Sequence, residues 1–481
     1  MDVFDLKTGS LYAVLAIASC VYLLWGFTFR LRPMIKALLA LHILTDLVFF
    51  PLLLDLPVYR FIKSLTAEDR IYPLVVLMGC VVAMDAGAAL FAARLPRRRA
   101  GATTTGNRGS AVPRLSGPVE TAKGNKGSGD LALKVNEKRA RQVGASFVFL
   151  ALFSRFSELL FTGILGAPSL LQAILTWQPK QSLGYWFFQM AGSAFFPVGL
   201  ALLVMAGNKK RHALALIAMM GFGFFSPWKG GIISLVVVYS LAIYSYDQSE
   251  LRRFVFKKST AVLVFILIVF LGVKTQFRYT GRAYLDPQSI METAVGVITT
   301  RAAIVFQTYA YVLGSLERGH PFMDGQYNAQ AFYLWVPRLL WKEKPLVAAK
   351  DMYYYLELTR QKDQPYGTSF AITLFGGFYL DFGLWGSLFC SFLFGGLTYL
   401  GENLLRRLRQ SRRDLLLIGY VMLSTAWLNS AFALSEGGLP VAFGGLLFWS
   451  VLGGAILLFW SLVKVRQPSM ALTPSRVKAL Q

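Results

Sequence analysis

The sequence predicts an all-α polytopic membrane protein with about eleven transmembrane helices and a large, partly helical extracytoplasmic loop. Of the 481 residues, 55% are hydrophobic and only 15% are charged, whereas soluble domains carry about 25% charged residues. Apolar runs of about 20 residues also recur along the chain. The net charge of +24 would suit nucleic acid, but in a membrane protein we assign it to loops that meet anionic lipid. We therefore expect membrane lipids, and no nucleic acid, as partners.

The apolar segments alternate with loops whose basic residues indicate the topology. The segments lie at residues 11–29, 37–54, 71–93, 145–165, 186–206, 213–227, 230–246, 259–276, 376–400, 415–434 and 441–463. A basic cluster follows every odd-numbered segment, as at Arg97–Arg99 and Arg406–Arg407. Because cytoplasmic loops carry the excess of Lys and Arg, we predict the N-terminus outside and the C-terminus in the cytoplasm.

This topology divides the chain into five parts. Residues 1–94 hold three transmembrane helices, 95–143 a disordered basic cytoplasmic linker, 144–276 helices four to eight, 277–375 the large loop, and 376–481 helices nine to eleven with a cytoplasmic tail. The linker is poor in large apolar residues, so burial cannot offset its chain entropy. We expect it to contact anionic headgroups, with binding of a regulatory partner as the alternative.

The hairpin between the sixth and seventh segments carries Lys229 beside Pro227 and Gly230. The sixth segment would give about 21 Å of helix at 1.5 Å per residue, against a hydrocarbon core of about 30 Å. The tip can therefore lie at membrane depth and face a cavity. Lys229 would then meet a phosphate; the alternative is a tight turn from which Lys229 extends outward.

The fourth segment contains two charged residues, Arg155 and Glu158, on one helix face. Charges inside a membrane segment are costly and usually face the protein interior. A self-neutralising pair is the favoured interpretation. An Arg155 that faces substrate is the alternative.

The loop at 277–375 is rich in arginine, with aromatic residues between the cations. Arginine offers a fixed fork for phosphate oxygens, and aromatic faces suit the C–H faces of sugars. The alternative is a solvated loop of mixed charge. The three histidines lie in three different regions, and no carboxylate cluster has metal-ligand spacing. We therefore predict no metal site.

Two motifs in and after the loop resemble those of a known family. The first is Val336-Pro337-Arg338-Leu339-Leu340-Trp341-Lys342-Glu343-Lys344-Pro345. The second is Tyr366-Gly367-Thr368-Ser369-Phe370 followed by Gly376-Gly377-Phe378-Tyr379-Leu380-Asp381-Phe382-Gly383-Leu384-Trp385-Gly386. Together they resemble the Pro-Arg-x-x-Trp-x-x-Lys-Pro and Thr-Ser…Gly-x-x-Tyr-x-Asn-Phe-Gly-x-x-Gly patterns of Wzy-type oligosaccharide repeat-unit polymerases. The chain departs from this family at Gly377, where Glu is frequent, and at Asp381, where Asn is usual.

The resemblance implies a GT-C-like glycosyltransferase of the bacterial inner membrane. Such an enzyme polymerises undecaprenyl-diphosphate-linked oligosaccharides at the outer face, in a Wzx/Wzy-type pathway for O-antigen or exopolysaccharide. It moves the growing glycan from one lipid diphosphate to a sugar hydroxyl of the next unit. Because the donor is already activated, no cofactor is implied. The implied partners are the lipid-linked oligosaccharides and a chain-length-determining co-polymerase.

The resemblance also implies roles for individual residues. Cations that stabilise the leaving diphosphate are sought among Arg338, Arg301 and Arg278, with Lys229 and Arg282 behind them. The proton acceptor is sought among Asp381, Glu317 and His320. Further contacts to diphosphate or sugar are assigned to Lys344, Trp341, Tyr366, Thr368, Ser369 and Tyr379, with packing inside the loop as the alternative for the aromatic residues.

Three other functions fit parts of the pattern. An O-antigen ligase would use the same chemistry with a lipid A-core acceptor. A transporter or flippase of lipid-linked glycans would need helix repeats and a midplane site, and it would leave the external loop unexplained. A non-catalytic assembly subunit would use the loop as a docking surface.

Overall fold

The computed structural model describes residues 68–94, 137–161, 286–333 and 372–410, together with individual positions elsewhere in the chain. This part of the chain is all-helical. Its elements are α1 (Glu68–Arg94), α2 (Glu137–Phe161), α3 (Pro287–Glu317), α4 (Gln326–Ala329) with a 3₁₀ turn at Gln330–Phe332, and α5 (Leu374–Gln410).

Three of these helices are long and apolar enough to cross a membrane: Ile71–Arg94, Ala140–Leu160 and Leu374–Leu408. They coincide with the third, fourth and ninth predicted segments, so the chain is a helical membrane protein. The predicted total of about eleven spans extends beyond the described residues. Two boundaries differ from the prediction by eight residues or more. Helix α2 begins at Glu137, so the last residues of the predicted linker, 137–143, are helical, and α5 continues to Gln410, past the predicted end at residue 400.

Helices α1 and α5 pack against each other and run in the same direction. In order along the pair, the facing residues are Tyr72–Tyr379, Gly79–Leu388, Gly87–Phe392 and Phe91–Gly396. A Cβ added at Gly87 or at Gly395 would overlap the main-chain carbonyl of the facing helix. Small residues are what permit backbones to approach this closely between membrane helices. The predicted topology likewise gives the third and ninth segments the same direction.

Helix α5 is kinked at Gly383, whose φ of 65° and ψ of −164° are not helical. The positive φ suits glycine, and a Cβ there would lie 3.1 Å from the Phe322 ring. Near the kink, the Leu380 carbonyl accepts a hydrogen bond of 3.0 Å from the main-chain N–H of Met323. The chain that follows α3 thus docks on α5 where the helix is bent, and it partners a carbonyl at the bend.

Helix α3 lies within the loop that the sequence predicts outside the membrane. It begins at the N-cap Asp286, whose Oδ2 accepts the N–H of Ser289 at 2.8 Å, with Pro287 in the first turn. That main-chain N–H holds the pKa of the Asp286 carboxyl below its usual range. The C-terminal half of α3 is buried with α1 and α5, through Tyr309, Ala310, Val312, Leu313 and Leu316. The loop is therefore partly helical, as predicted, and this helix belongs to the protein core.

Candidate functional site

Asp381, on the first turns of α5, is buried and hydrogen-bonded through both carboxylate oxygens. Its Oδ1 accepts the N–H of Tyr327 at 3.0 Å. Its Oδ2 accepts the N–H and the Nδ2 of Asn328, at 2.8 and 2.7 Å. Tyr327 and Asn328 lie in the first turn of α4, so the carboxylate satisfies N–H groups that a helix start leaves without partners. Asp381 acts as a cap supplied from another helix.

Gly377 lies one turn before Asp381 and also binds Asn328. Its carbonyl accepts the Nδ2 of Asn328 at 2.9 Å. A Cβ at this position would lie 2.7 Å from Cε1 of Tyr327. The Tyr327 ring therefore occupies the space that a glutamate, frequent here in the resembled family, would need. Burial raises the pKa of the Tyr327 hydroxyl, and the nearby Asp381 carboxylate raises it further.

A second polar cluster joins three helices at the end where α1 and α5 begin. The hydroxyl of Tyr379 on α5 donates to Oε1 of Glu317 on α3 at 2.7 Å. The hydroxyl of Tyr72 on α1 lies 3.1 Å from that of Tyr379. Because the single proton of Tyr379 is directed to Glu317, Tyr72 is the donor in this second bond. The two rings meet edge to face, with centroids 6.4 Å apart.

The carboxylate of this cluster belongs to an exposed residue, whereas Tyr379 is buried. Two more polar residues follow Glu317 at the end of α3. The guanidinium of Arg318 lies 5.9 Å from the Tyr311 ring centroid, and its Nη2 donates to Ser315 Oγ at 3.4 Å. His320 is half-buried. Within four residues, the end of α3 and the turn after it thus present an acid, a cation and an imidazole beside two membrane helices.

The structure brings some of the predicted site residues together and separates others. Glu317 and Tyr379 are in contact, and His320 follows closely in the chain. Asp381 belongs to the cap at α4. Arg301 lies in the middle of α3, and Trp341 is exposed with its ring 5.7 Å from that of Tyr333. The remaining candidates lie outside the described residues: Arg338, Arg278, Arg282, Lys229, Lys344, Tyr366, Thr368 and Ser369.

Tyr72, Arg318 and Asn328 are site residues that were not predicted. Tyr72 begins an apolar segment, where a tyrosine is ordinarily a membrane-interface residue. Arg318 is one of many cations in the loop, and Asn328 has no motif around it. Within the described residues, no group of three or more His, Cys, Asp or Glu side chains could hold a metal ion.

The charge pair of the fourth segment forms within α2. Arg155 Nη1 donates to Glu158 Oε2 at 2.6 Å, and the Glu158 side chain is almost fully buried. A Cβ at Gly192 would lie 3.1 Å from Nε of Arg155, so this glycine leaves room for the guanidinium. The pair is the self-neutralising arrangement that the spacing favours.

The described fold and contacts define a helical membrane protein with two polar clusters at one end of its α1–α5 pair. No protein-family model, curated protein or solved structure matches the chain.

Proposed function

We propose that this chain is a glycosyltransferase that polymerises undecaprenyl-diphosphate-linked oligosaccharide repeat units at the outer face of the bacterial inner membrane. It crosses the membrane about eleven times, with its N-terminus outside and its C-terminus in the cytoplasm. One observation carries the proposal. Tyr379, a residue of the second motif near the start of the membrane-spanning helix α5, binds an exposed carboxylate, Glu317, at the end of α3. A lipid-linked substrate needs its reactive groups at this boundary.

The distribution of charge supports the sidedness of this proposal. Helices α1 and α5 start at the cluster of Tyr72, Tyr379 and Glu317, here called the Glu317 cluster. They end with basic residues, at Arg94 in α1 and at Arg406 and Arg407 in α5. Basic ends are cytoplasmic under the positive-inside rule. The Glu317 cluster then lies on the outer side, where lipid-linked units arrive after they have been flipped.

The proposed reaction requires cations that stabilise the leaving diphosphate, and it requires no cofactor. The leaving group is a lipid diphosphate, and preplaced donors stabilise the charge that develops on it. We assign this role to Arg338, Arg301 and Arg278, with Lys229 and Arg282 behind them. The guanidinium fork of arginine fits phosphate oxygens with two parallel hydrogen bonds, which a lysine cannot provide.

A deletion strain distinguishes this function from its rivals by the banding of surface glycans. Loss of a polymerase leaves single repeat units on the surface lipid. Loss of a ligase leaves none there, and lipid-linked polymer accumulates. Loss of a flippase retains undecaprenyl-linked units on the cytoplasmic side. Unchanged long-chain banding in the deletion strain would exclude the proposed function.

Arg338→Ala tests the cation role in the same assay. We expect chain lengthening to be lost although the protein inserts at its normal level, and Arg338→Lys to be impaired because a point charge lacks the fork. Arg406→Ala is the matched control, since Arg406 is an exposed cation at the end of α5 that lies away from Glu317. Full-length polymer from the Arg338→Ala strain at wild-type expression would remove Arg338 from the site.

A further inference from the structure

We infer that Glu317 binds and deprotonates the acceptor sugar hydroxyl, and that Tyr379 and Tyr72 position its carboxylate. This inference rests on the proposed function and deepens it. It identifies the proton acceptor and adds Tyr72, a residue of a distant helix, to the site. It also defines the ligand of the cluster as a saccharide with a free hydroxyl group.

The contacts of two carboxylates separate their roles. Asp381 is 1% exposed and receives three hydrogen bonds from the start of α4. A sugar hydroxyl could reach the Asp381 carboxylate only if α4 moved away from α5. Glu317 is exposed, and the Tyr379 hydroxyl binds one of its oxygens. A carboxylate has about four lone-pair sites, so Glu317 retains acceptor capacity toward solvent.

The two tyrosines hold this carboxylate from the protein side. Tyr379 is 3% exposed, and its hydroxyl lies between the Tyr72 hydroxyl and the Glu317 carboxylate. Tyr379 donates to Glu317 and is itself hydrogen-bonded to Tyr72, so this chain of groups ends on the exposed carboxylate. Because the three residues come from α1, α5 and α3, the carboxylate is fixed relative to both membrane helices. A positioned base within hydrogen-bond reach is what general base catalysis requires.

The reaction step balances without a further reactant. The acceptor hydroxyl oxygen forms a bond to the anomeric carbon of the growing glycan, as the bond from that carbon to the diphosphate oxygen breaks. The leaving electron pair stays on the lipid diphosphate. The hydroxyl proton passes to the Glu317 carboxylate and then to solvent. No group is oxidised or reduced.

The test uses the full-length protein in phospholipid vesicles, with synthetic undecaprenyl-diphosphate repeat units as donor and acceptor. Polymer length and rate are read from the ladder of products. We expect Glu317→Gln to lower kcat by about 100-fold or more, the usual contribution of a general base, and Glu317→Asp to recover part of it. Glu292→Gln should keep the wild-type rate, because Glu292 is an exposed carboxylate of the same helix bonded to Gln288.

Tyr72→Phe and Tyr379→Phe test the positioning role because each removes only a hydroxyl group. We expect both to lower kcat while KM stays near the wild-type value; a purely structural role would instead lower the amount of folded protein. If Glu317→Gln is poorly folded, Glu317→Asp and the two phenylalanine variants carry the test. A wild-type kcat in folded Glu317→Gln would overturn the inference. So would a wild-type kcat in all three of Glu317→Asp, Tyr72→Phe and Tyr379→Phe. In either case, polymerisation by the wild-type chain would still support the proposed function. A wild-type chain that forms no polymer overturns both.

Discussion

Asp381 and Asn328, separated by 53 positions in the sequence, share two hydrogen bonds to one carboxylate oxygen. The main-chain N–H and the side-chain Nδ2 of Asn328 both donate to Oδ2, at 2.8 and 2.7 Å. Hydrogen bonds to a charged acceptor are roughly twice as strong as neutral ones. This relationship fixes the chain between α3 and α4 on the kinked helix α5, and it thereby holds the end of α3 that carries Glu317.

Replacement of Asp381 by alanine should weaken the fold more than it alters the chemistry. It leaves the N–H groups of Tyr327 and Asn328 buried without an acceptor, which costs about 1–3 kcal/mol for each group. We expect thermal unfolding in detergent to shift down clearly, with a smaller shift for Asp381→Asn, which keeps one oxygen. Asp324→Gly is the control, because Asp324 is exposed and has a φ of 47° that glycine adopts easily. An unfolding midpoint for Asp381→Ala equal to that of the wild type would contradict this role.

The glycine at 377 should resist even a methyl group. In Gly377→Ala the new Cβ would lie 2.7 Å from the buried Tyr327 ring, and overpacking of this kind costs about 1–3 kcal/mol. Gly296→Ala is the matched control within α3, since no atom lies within 4 Å of a Cβ there. We expect Gly296→Ala to leave the stability unchanged or to raise it by up to about 1 kcal/mol, because alanine has the higher helix propensity. Tyr327→Leu should relieve the clash, so the two substitutions together should cost less than the sum of their separate effects.

Hydropathy predicted the described membrane helices well, because a span is a local property of composition. Helices α1 and α5 begin within a few residues of their predicted positions, and α2 begins earlier than predicted, at Glu137. The i, i+3 spacing of Arg155 and Glu158 likewise predicted a contact that forms. The cap by Asp381 and the Tyr72–Tyr379–Glu317 chain were not predictable, because each joins helices far apart in sequence. The motif indicates Asp381 only as a proton acceptor, since a motif position does not reveal which donors surround a carboxylate.

The stability of the protein should fall at alkaline pH, in part through Tyr327. Burial raises the pKa of its hydroxyl, whereas a tyrosine in the unfolded chain titrates near about 10. Above that pH the unfolded chain loses this proton and the folded chain keeps it, so the free energy of unfolding decreases. The stability that comes from keeping the Tyr327 hydroxyl protonated is fully present below about pH 10, and it is lost as the pH rises toward the folded-state pKa. Unfolding midpoints from pH 8 to 11 should decline less steeply in Tyr327→Phe, and equal slopes in both proteins would contradict the assignment.

Removal of one partner from the Arg155–Glu158 pair should cost more than removal of both. Glu158→Gln removes the carboxylate that Arg155 contacts inside an apolar span. Because Glu158 is buried and Arg155 is half-buried, we expect a loss smaller than the ~3–5 kcal/mol of a fully buried pair. Arg155→Met with Glu158→Leu removes both charges and keeps similar volume, so the double variant should approach or exceed wild-type stability. The yield of monodisperse protein in detergent and its unfolding midpoint measure both variants. If Arg155 instead contacts the lipid diphosphate, the double variant will be stable and will form no polymer. Stable protein with normal polymer length is the result we expect, since the guanidinium is engaged by Glu158 at 2.6 Å.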